Sequence, residues 1–243
     1  MPNVPKPPPG DRPLKTLERI LSKAGLGSRK DARRWIGEGR VCVNAVVVRD
    51  PDAWVDLERD QVDFDGKAVR AEERIYLLLH KPVGYLTTYR DPQGRPTIYD
   101  LLPEDRRYLS YVGRLDLDTS GLLILTNDTQ LAERLTNPEY HVPKTYLAGA
   151  SRSVADGDLD ALRRGIELED GPTRPANVTR VSESVFEITI TEGRNRQIRR
   201  MVETLGASVV TLQRIAIGSI PLGGLPVGST RMLTAEEVKS LIP

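Results

Sequence analysis

Apolar residues near the start of the chain recur at helical spacing: Leu14, Leu17, Leu21 and Ala24, with Lys15, Arg19 and Lys23 between them. Gly25 and Gly27 then break the helix. Ser28 stands where it caps a second one, with Asp31 three residues on in the capping-box position. On that second helix Ala32, Trp35 and Ile36 fall inward, Arg29, Lys30, Arg33 and Arg34 fall mostly outward, and Gly37 and Gly39 end it. VCVNAVVV predicts a strand pair turning near Asn44 and Ala45, and a polar segment runs on to Asp65 and Gly66. Two short helices and a small sheet ending near Val69 make a unit of about 60 residues, within the size range that folds alone.

AEERIY (71–76) is polar and predicts a hinge. YLLLHKPVGYLTT then opens a second unit as a buried strand, interrupted at Pro82 and Gly84 and resumed over Tyr85 to Thr88. DPQGRP predicts a turn-rich loop. VGRLDLDTSGLLILTND predicts a loop running into an apolar strand, Leu122 to Leu125. A short helix around Leu131 and Leu135, a strand over KTYLAGA and a helix from Leu159 to Ile166 follow. VFEITITEG alternates as a strand, and Gln197 to Leu205 reads as an amphipathic helix stopped by Gly206. Strand runs with scattered helices predict an α+β fold with a mainly antiparallel central sheet. The domain boundaries expected are a Pro-rich, disordered lead-in over 1–13, a small domain over 14–73 and a larger one over 76–241.

Composition narrows the partners. The 243 residues carry a net charge of +1, so bulk charge decides nothing. Between Arg12 and Arg49, however, ten Lys/Arg face only Glu18, Asp31 and Glu38, a candidate surface for an anionic partner. Cys42 is the single cysteine, which fits a reducing compartment and predicts a cytoplasmic protein. No apolar run approaches the ~18–20 residues of a membrane span. The N-terminus lacks the apolar core of a secretory signal. His80 and His141 have no metal-ligand spacing and read as structural. Neither a metal nor a cofactor is expected.

From Leu17 to about Val69 the chain resembles the S4 RNA-binding domain. The match is L-x-x-I-L-S-K-A-G-L-G-S-R-K-D-A-R-R-W-I-x-x-G-x-V-x-V-N, closed by D-x-V-x-F-D-G. Ser28 opens a helix whose first N–H groups favour phosphate. Arg29, Lys30, Arg33 and Arg34 add charge for phosphate oxygens. The resemblance raises RNA binding above an ordinary charged face.

Gly113 to Gly121 reads G-R-L-D-L-D-T-S-G, two carboxylates beside an arginine in a loop that feeds a buried strand. Rigidly held loops often carry catalysis, while Asp118, Thr119 and Ser120 also suit a polar turn bonded to its own backbone. With the following L-L-x-L-T-N-D, the stretch resembles the bacterial ribosomal RNA pseudouridine synthases of the RsuA/RluB type. H-K-P-x-G-Y (80–85), K-T-Y (144–146) and E-G-R-N-R-Q-I-R-R-M (192–201) match in order, so the resemblance covers the chain from Leu14 to its end.

The resemblance implies the pseudouridine synthase fold and a set of roles. Asp116 matches the catalytic aspartate, and Arg114 the arginine that holds the target nucleotide out of its stack. Tyr146 matches the tyrosine that packs on the flipped uracil, Arg199 the basic partner of the aspartate, and Ile198 the apolar residue beside it. Arg194, Arg196 and Arg200 join the expected RNA-binding set. The reaction implied breaks N1–C1′ and forms C5–C1′ with no redox change. Two routes fit: attack of the carboxylate on the ribose, or abstraction of a C2′ proton to give a glycal. Both use an ionised Asp116, which a neighbouring guanidinium favours. Stacking on an unpaired base contributes about 1–3 kcal/mol, against a few kcal/mol for extruding it. The implied partner is a structured stem-loop of ribosomal RNA in a large-subunit precursor, since D-P-Q-G-R-P-T-I (91–98) and 192–201 sit closer to the large-subunit members. A monomer is expected. The alternatives are a small-subunit enzyme and a non-catalytic ribosome-assembly factor. D-T-S-G also looks like the aspartic protease signature, but those enzymes need two such aspartates and one copy stands here. An i, i+2 carboxylate pair is likewise a poor match to the glycosidase arrangement.

Overall fold

The computed structural model describes residues 14–24, 26–57, 59–69 and 74–241. The lead-in over 1–13, Gly25 and the first half of the expected hinge, 71–73, lie outside the described residues. The chain divides into two compact units, one through Glu73 and one from Arg74.

The first unit pairs two helices, α1 (Leu17–Lys23) and α2 (Arg29–Gly37), with a four-stranded antiparallel sheet. Its strands are β1 (Val41–Val43), β2 (Val46–Val47), β3 (Val62–Phe64) and β4 (Lys67–Val69), in the order β2-β1-β3-β4. The capping box forms as the spacing predicts. Ser28 Oγ accepts from the Asp31 amide at 3.2 Å, and the Asp31 carboxylate accepts from the Ser28 amide at 3.3 Å. Asn44 and Ala45 both take left-handed φ values, +52° and +64°, which lets β1 reverse tightly into β2. Leu17, Ile20, Leu21, Ala32, Ile36, Val41, Val55 and Val62 fill the core. Trp35 is half-buried, with its ring 4.9 Å from that of Phe64.

The second unit is built on a nine-stranded sheet among the described residues. Its main path uses β5 (Tyr76–Lys81), β6 (Ser120–Thr126), β7 (Lys144–Ala150), β8 (Asn177–Arg180), β9 (Val185–Ile190), β10 (Val209–Ile217) and β11 (Thr230–Met232). Their order is β8-β9-β7-β10-β6-β5-β11, with Ser110–Val112 added to β6 and Ile220–Pro221 to β10. Every pairing is antiparallel except β10 with β6, where Gln213 faces Ser120 and Arg214 faces Gly121. This parallel joint lies directly after the Asp116 loop. Both faces of the central strands are covered. Leu78, Leu122 and Ile124 pack with α3 (Thr129–Thr136) and α6 (Ala235–Leu241) on one side, while Leu77, Leu79, Leu123 and Leu125 pack under Ile98, Tyr99 and Leu109 on the other. That two-sided burial explains the continuous apolar runs in these strands. A further core lies around β7 and β9, closed by α4 (Asp156–Arg164) and α5 (Gln197–Glu203).

The strand expected to resume over Tyr85 to Thr88 does not form. Leu86 makes only an isolated bridge to Thr97, and Gly84 turns the chain at φ +89°. The segment bonds to the Asp116 loop instead. Among the described residues, no helix is long and apolar enough to cross a membrane.

Candidate active site

The loop from Gly113 to Thr119 is held by its backbone, and the segment after β5 supplies the clamps. Lys81, fully buried at the end of β5, donates from Nζ to the carbonyls of Pro82 (3.0 Å), Asp116 (3.0 Å) and Thr119 (2.9 Å). The Gly84 amide donates to the Leu117 carbonyl at 2.8 Å. Thr87 Oγ1 donates to the Leu115 carbonyl at 2.7 Å. Within the loop the Thr119 amide closes a turn onto the Asp116 carbonyl at 3.1 Å. Asp116 is thereby fixed at its main chain while its carboxylate stays partly exposed. Burial pushes the Lys81 ammonium down to about 8, opposed by attraction to Asp116 and Asp118.

A cavity of about 440 Å³ opens beside the loop, within the ~300–1,000 Å³ range of small-ligand sites. Asp116, Arg114, Tyr146 and Ile198 all line it, drawn from the loop, from β7 and from the start of α5. Leu115, Ile190, Leu212 and Ile217 give one part of its wall an apolar surface, while Lys144, Glu192, Arg196 and Arg214 add charge. Tyr146 and Ile198 are buried and belong to one core cluster, whereas Arg114 is exposed. The geometry combines an apolar slot, an aromatic ring and one accessible carboxylate.

The arginines are placed differently from expectation. Arg199 makes its ion pair with Asp118 at 3.2 Å, not with Asp116, and no Arg199–Asp116 ion pair occurs among the described residues. It donates to the Asp118 carbonyl at 2.9 Å and to the Val209 carbonyl at 3.0 Å. Its Nε is buried without a hydrogen-bond partner. The guanidinium that comes within ion-pair distance of Asp116 is Arg196, at 3.8 Å, while it also binds Asp118 through both nitrogens at 3.2 and 3.3 Å. Arg196 reaches this position from a left-handed turn (φ +48°) that caps α5. Burial raises the Asp118 carboxyl, but Arg196 and Arg199 outweigh it and hold the group below the ordinary carboxylate range.

Two of the expected RNA-binding arginines brace a hairpin. Arg200 holds both Asp170 oxygens, at 2.8 and 3.1 Å, and Arg194 donates to the Gly171 carbonyl at 2.8 Å. In the first unit, Arg29 and Arg33 both grip the buried carboxylate of Glu18, and Arg33 reaches Asp52 at 2.6 Å. Burial pushes Glu18 up, but hydrogen bonds from the two arginines outweigh it and hold the carboxyl below its usual range. Arg34 pairs with Asp31 at 3.4 Å. Lys30 makes no ion pair among the described residues and, like Ser28, is exposed.

Sequence reasoning missed Lys81, Lys144, Thr87 and Arg214 as site residues. Lysine closing the apolar run YLLLHK and arginine inside LQRIAI were the available signals, since such side chains are almost never fully buried unless paired.

Residues 75–204 match the RNA pseudouridylate synthase family and residues 16–61 match the S4 domain. An uncharacterized RNA pseudouridine synthase of Aquifex aeolicus (strain VF5) is 43% identical over 230 residues, spanning 93% of this chain and 92% of its own. The ribosomal large subunit pseudouridine synthase B of Bacillus subtilis (strain 168) is 40% identical over 234 residues, spanning 94% of this chain and 96% of its own. Among solved structures, a pseudouridylate synthase crystal structure is 33% identical with a TM-score of 0.68, covering 93% of this chain and 99% of that one. The cavity beside the Asp116 loop therefore sits in a chain that belongs to the RNA pseudouridine synthase family, isomerases that convert uridine to pseudouridine, with an S4 domain at its N-terminal end.

Proposed function

We propose that the protein isomerises one uridine of large-subunit ribosomal RNA, with Asp116 as the catalytic carboxylate. The observation that carries this reading is the convergence of Asp116, Tyr146, Ile198 and Arg114 on one partly apolar cavity large enough for an extruded nucleotide. The choice of the large subunit is supported by the Bacillus subtilis relative, whose name carries that substrate.

The reaction needs the N1–C1′ bond to break with its electron pair on uracil. The base then turns and C5 bonds to C1′. C5 loses its proton and N1 gains one, so the product is an isomer. Asp116 either bonds to C1′ and is later displaced, or removes a C2′ proton and returns it. Arg196, 3.8 Å away, is placed to orient the carboxylate. Tyr146 supplies the stacking face that retains the detached base, and Arg114, exposed at the cavity, meets the backbone of the extruded nucleotide.

The two units divide the work in this reading. Residues 14–73 grip a structured stem-loop, read through shape and backbone, and residues 76–241 perform the chemistry as a monomer in the cytoplasm. The test incubates purified protein with unmodified large- and small-subunit transcripts and maps pseudouridine at nucleotide resolution. One site in the large-subunit RNA is expected. Modification confined to the small-subunit RNA overturns the substrate assignment, and modification of neither overturns the ribosomal reading.

A further inference from the structure

Five cations line the cavity: Arg114, Lys144, Arg194, Arg196 and Arg214. Arg194 is paired with Glu192 at 3.3 Å, and Arg196 with Asp118. Arg114 is exposed and solvated. Lys144 and Arg214 differ from all of these. Neither makes an ion pair among the described residues, yet Arg214 is only 2% exposed and Lys144 is half-buried.

Arg214 sits on β10 opposite Tyr146 in the β7–β10 register. Its Nε donates to the Leu122 carbonyl at 2.7 Å, which fixes the guanidinium, while Nη2 is buried without a hydrogen-bond partner. Lys144 lies two residues before Tyr146 on β7, so both side chains leave the same face of the strand. Its Nζ donates to the nearby Val142 carbonyl at 3.3 Å. Both side chains line the same cavity, and burial, then the charge of Arg214, push this ammonium below the ordinary lysine range. A buried cation with an unused donor is costly unless something completes it. Lys81 also feels Arg214, but its ammonium is occupied by three carbonyls.

We infer that Arg214 and Lys144 form a cationic subsite that receives the uracil anion released when the glycosidic bond breaks. The inference rests on the isomerase reading above and adds to it the groups that hold the leaving base. Both routes open to Asp116 leave the N1–C1′ bonding pair on uracil, spread over N1, O2 and O4. A fixed, buried cation stabilises such a charge far more than water-exposed lysine does, and without reorganising at the moment of reaction. The charge disappears when C5 bonds to C1′, the C5 proton leaves and N1 is protonated. Arg214 and Lys144 lose and gain no proton in these steps. Placement beside Tyr146 assigns the pair to the base; the nucleotide phosphates fall to exposed Arg114.

The test uses the full-length protein, saturating, in single turnovers on the RNA it modifies. Lys144→Met and Arg214→Gln are expected to slow isomerisation about 100-fold, with RNA affinity changed less than about threefold. Arg214→Lys keeps a charge and recovers part of the rate. The same RNA carrying 5-fluorouridine at the target separates leaving-group stabilisation from a structural effect. Fluorine withdraws electron density and makes the base a better leaving group. The gap between variant and wild type, followed as loss of 5-fluorouridine in nuclease digests, should therefore shrink about tenfold or more. Wild-type rates in Lys144→Met, an equal gap on both RNAs, or weakened affinity at an unchanged rate each overturn the subsite; the last would identify a phosphate contact. If the Arg214 variants unfold, Lys144→Met decides, because that side chain donates only to a carbonyl two residues away. An active wild type with unimpaired variants defeats the subsite alone, whereas a wild type inactive on every RNA defeats the isomerase reading and the subsite with it.

Discussion

Gly121 and Arg214 meet backbone to backbone at the parallel joint of the sheet. A Cβ on Gly121 would stand 2.2 Å from the Arg214 carbonyl oxygen and 2.5 Å from its amide nitrogen. Gly121 also has φ +113°, a conformation open to glycine and strained for any other residue. The contact sets how the strand leaving the Asp116 loop registers against the strand that carries Arg214. Gly121→Ala should destabilise the protein by at least about 2 kcal/mol, from overpacking and backbone strain together, and should depress the isomerisation rate of whatever folded protein remains. Chemical unfolding checks the first part. An unshifted midpoint would show that β6 and β10 separate without penalty.

Asp116→Asn should abolish pseudouridine formation and leave the fold and RNA affinity in place. The carboxylate is partly exposed at the cavity, and the loop is held through the main-chain carbonyls of residues 115–119, which the substitution retains. Loss of at least about 10²–10⁴-fold in single-turnover rate is expected. A mutant rate within tenfold of wild type would remove Asp116 from the reacting centre.

Arg196 and Arg199 should separate into different kinds of defect. Arg199 is buried and joins the Asp118 and Val209 carbonyls, so Arg199→Ala should lower stability by about 1–3 kcal/mol as those acceptors lose their donor. Arg196 is partly exposed, and its alanine variant should change the unfolding midpoint little while slowing catalysis more than RNA binding. Equal losses of stability in the two variants would contradict this division.

The sequence displayed the parts of this molecule whose patterns are local. The Ser28–Asp31 box, the Asn44–Ala45 turn and the alternation of VFEITI each follow from neighbouring residues, and each stands where the pattern puts it. The strand Val209–Ile217 was not legible, because its inward position 214 is an arginine and breaks the apolar alternation. The segment after Lys81 was misread for a related reason. Tyr85 to Thr88 has strand composition, but Leu86 exchanges backbone hydrogen bonds with Pro96 and Ile98 at an isolated bridge, and Thr87 Oγ1 donates to the Leu115 carbonyl of the Asp116 loop. The motifs around Asp116, Tyr146 and Ile198 were visible and share one cavity, while the pairing of Arg199 with Asp118 depends on how α5 enters the sheet, which spacing alone does not specify.

Lys81 gives stability a distinct pH dependence. Its folded ammonium titrates at about 8 against an ordinary 10.5, so between those values the unfolded chain binds more protons than the folded one. Unfolding free energy attributable to Lys81 therefore rises with pH from about 8 toward 10.5, and the burial penalty is fully present below about 8. Lys81→Met removes this contribution and also leaves three carbonyls without their donor. The wild type should be the more stable protein throughout, with an advantage that widens as pH climbs through the window. Parallel stability curves for the two proteins between pH 7 and 10.5 would refute the titration.

The basic helix of the S4 domain should contact RNA unevenly. Arg29 and Arg33 are both engaged by the buried Glu18 carboxylate, so a phosphate must compete with an existing ion pair to recruit either one. Lys30 carries no such tie among the described residues and stands exposed in the first turn of α2, next to the Ser28 cap. Lys30→Ala should therefore weaken RNA binding and flatten the slope of log affinity against log salt by roughly 0.7–0.9, the change for one lost phosphate contact. Arg29→Ala and Arg33→Ala should show smaller changes in slope and lower unfolding midpoints, because each leaves Glu18 with one partner fewer. Binding isotherms across a salt series, measured on Asp116→Asn protein so that the RNA stays unmodified, read all three. A larger slope change for Arg33→Ala than for Lys30→Ala would mean that RNA displaces Glu18, and that the ion pairs at the start of α2 are exchanged on binding rather than kept.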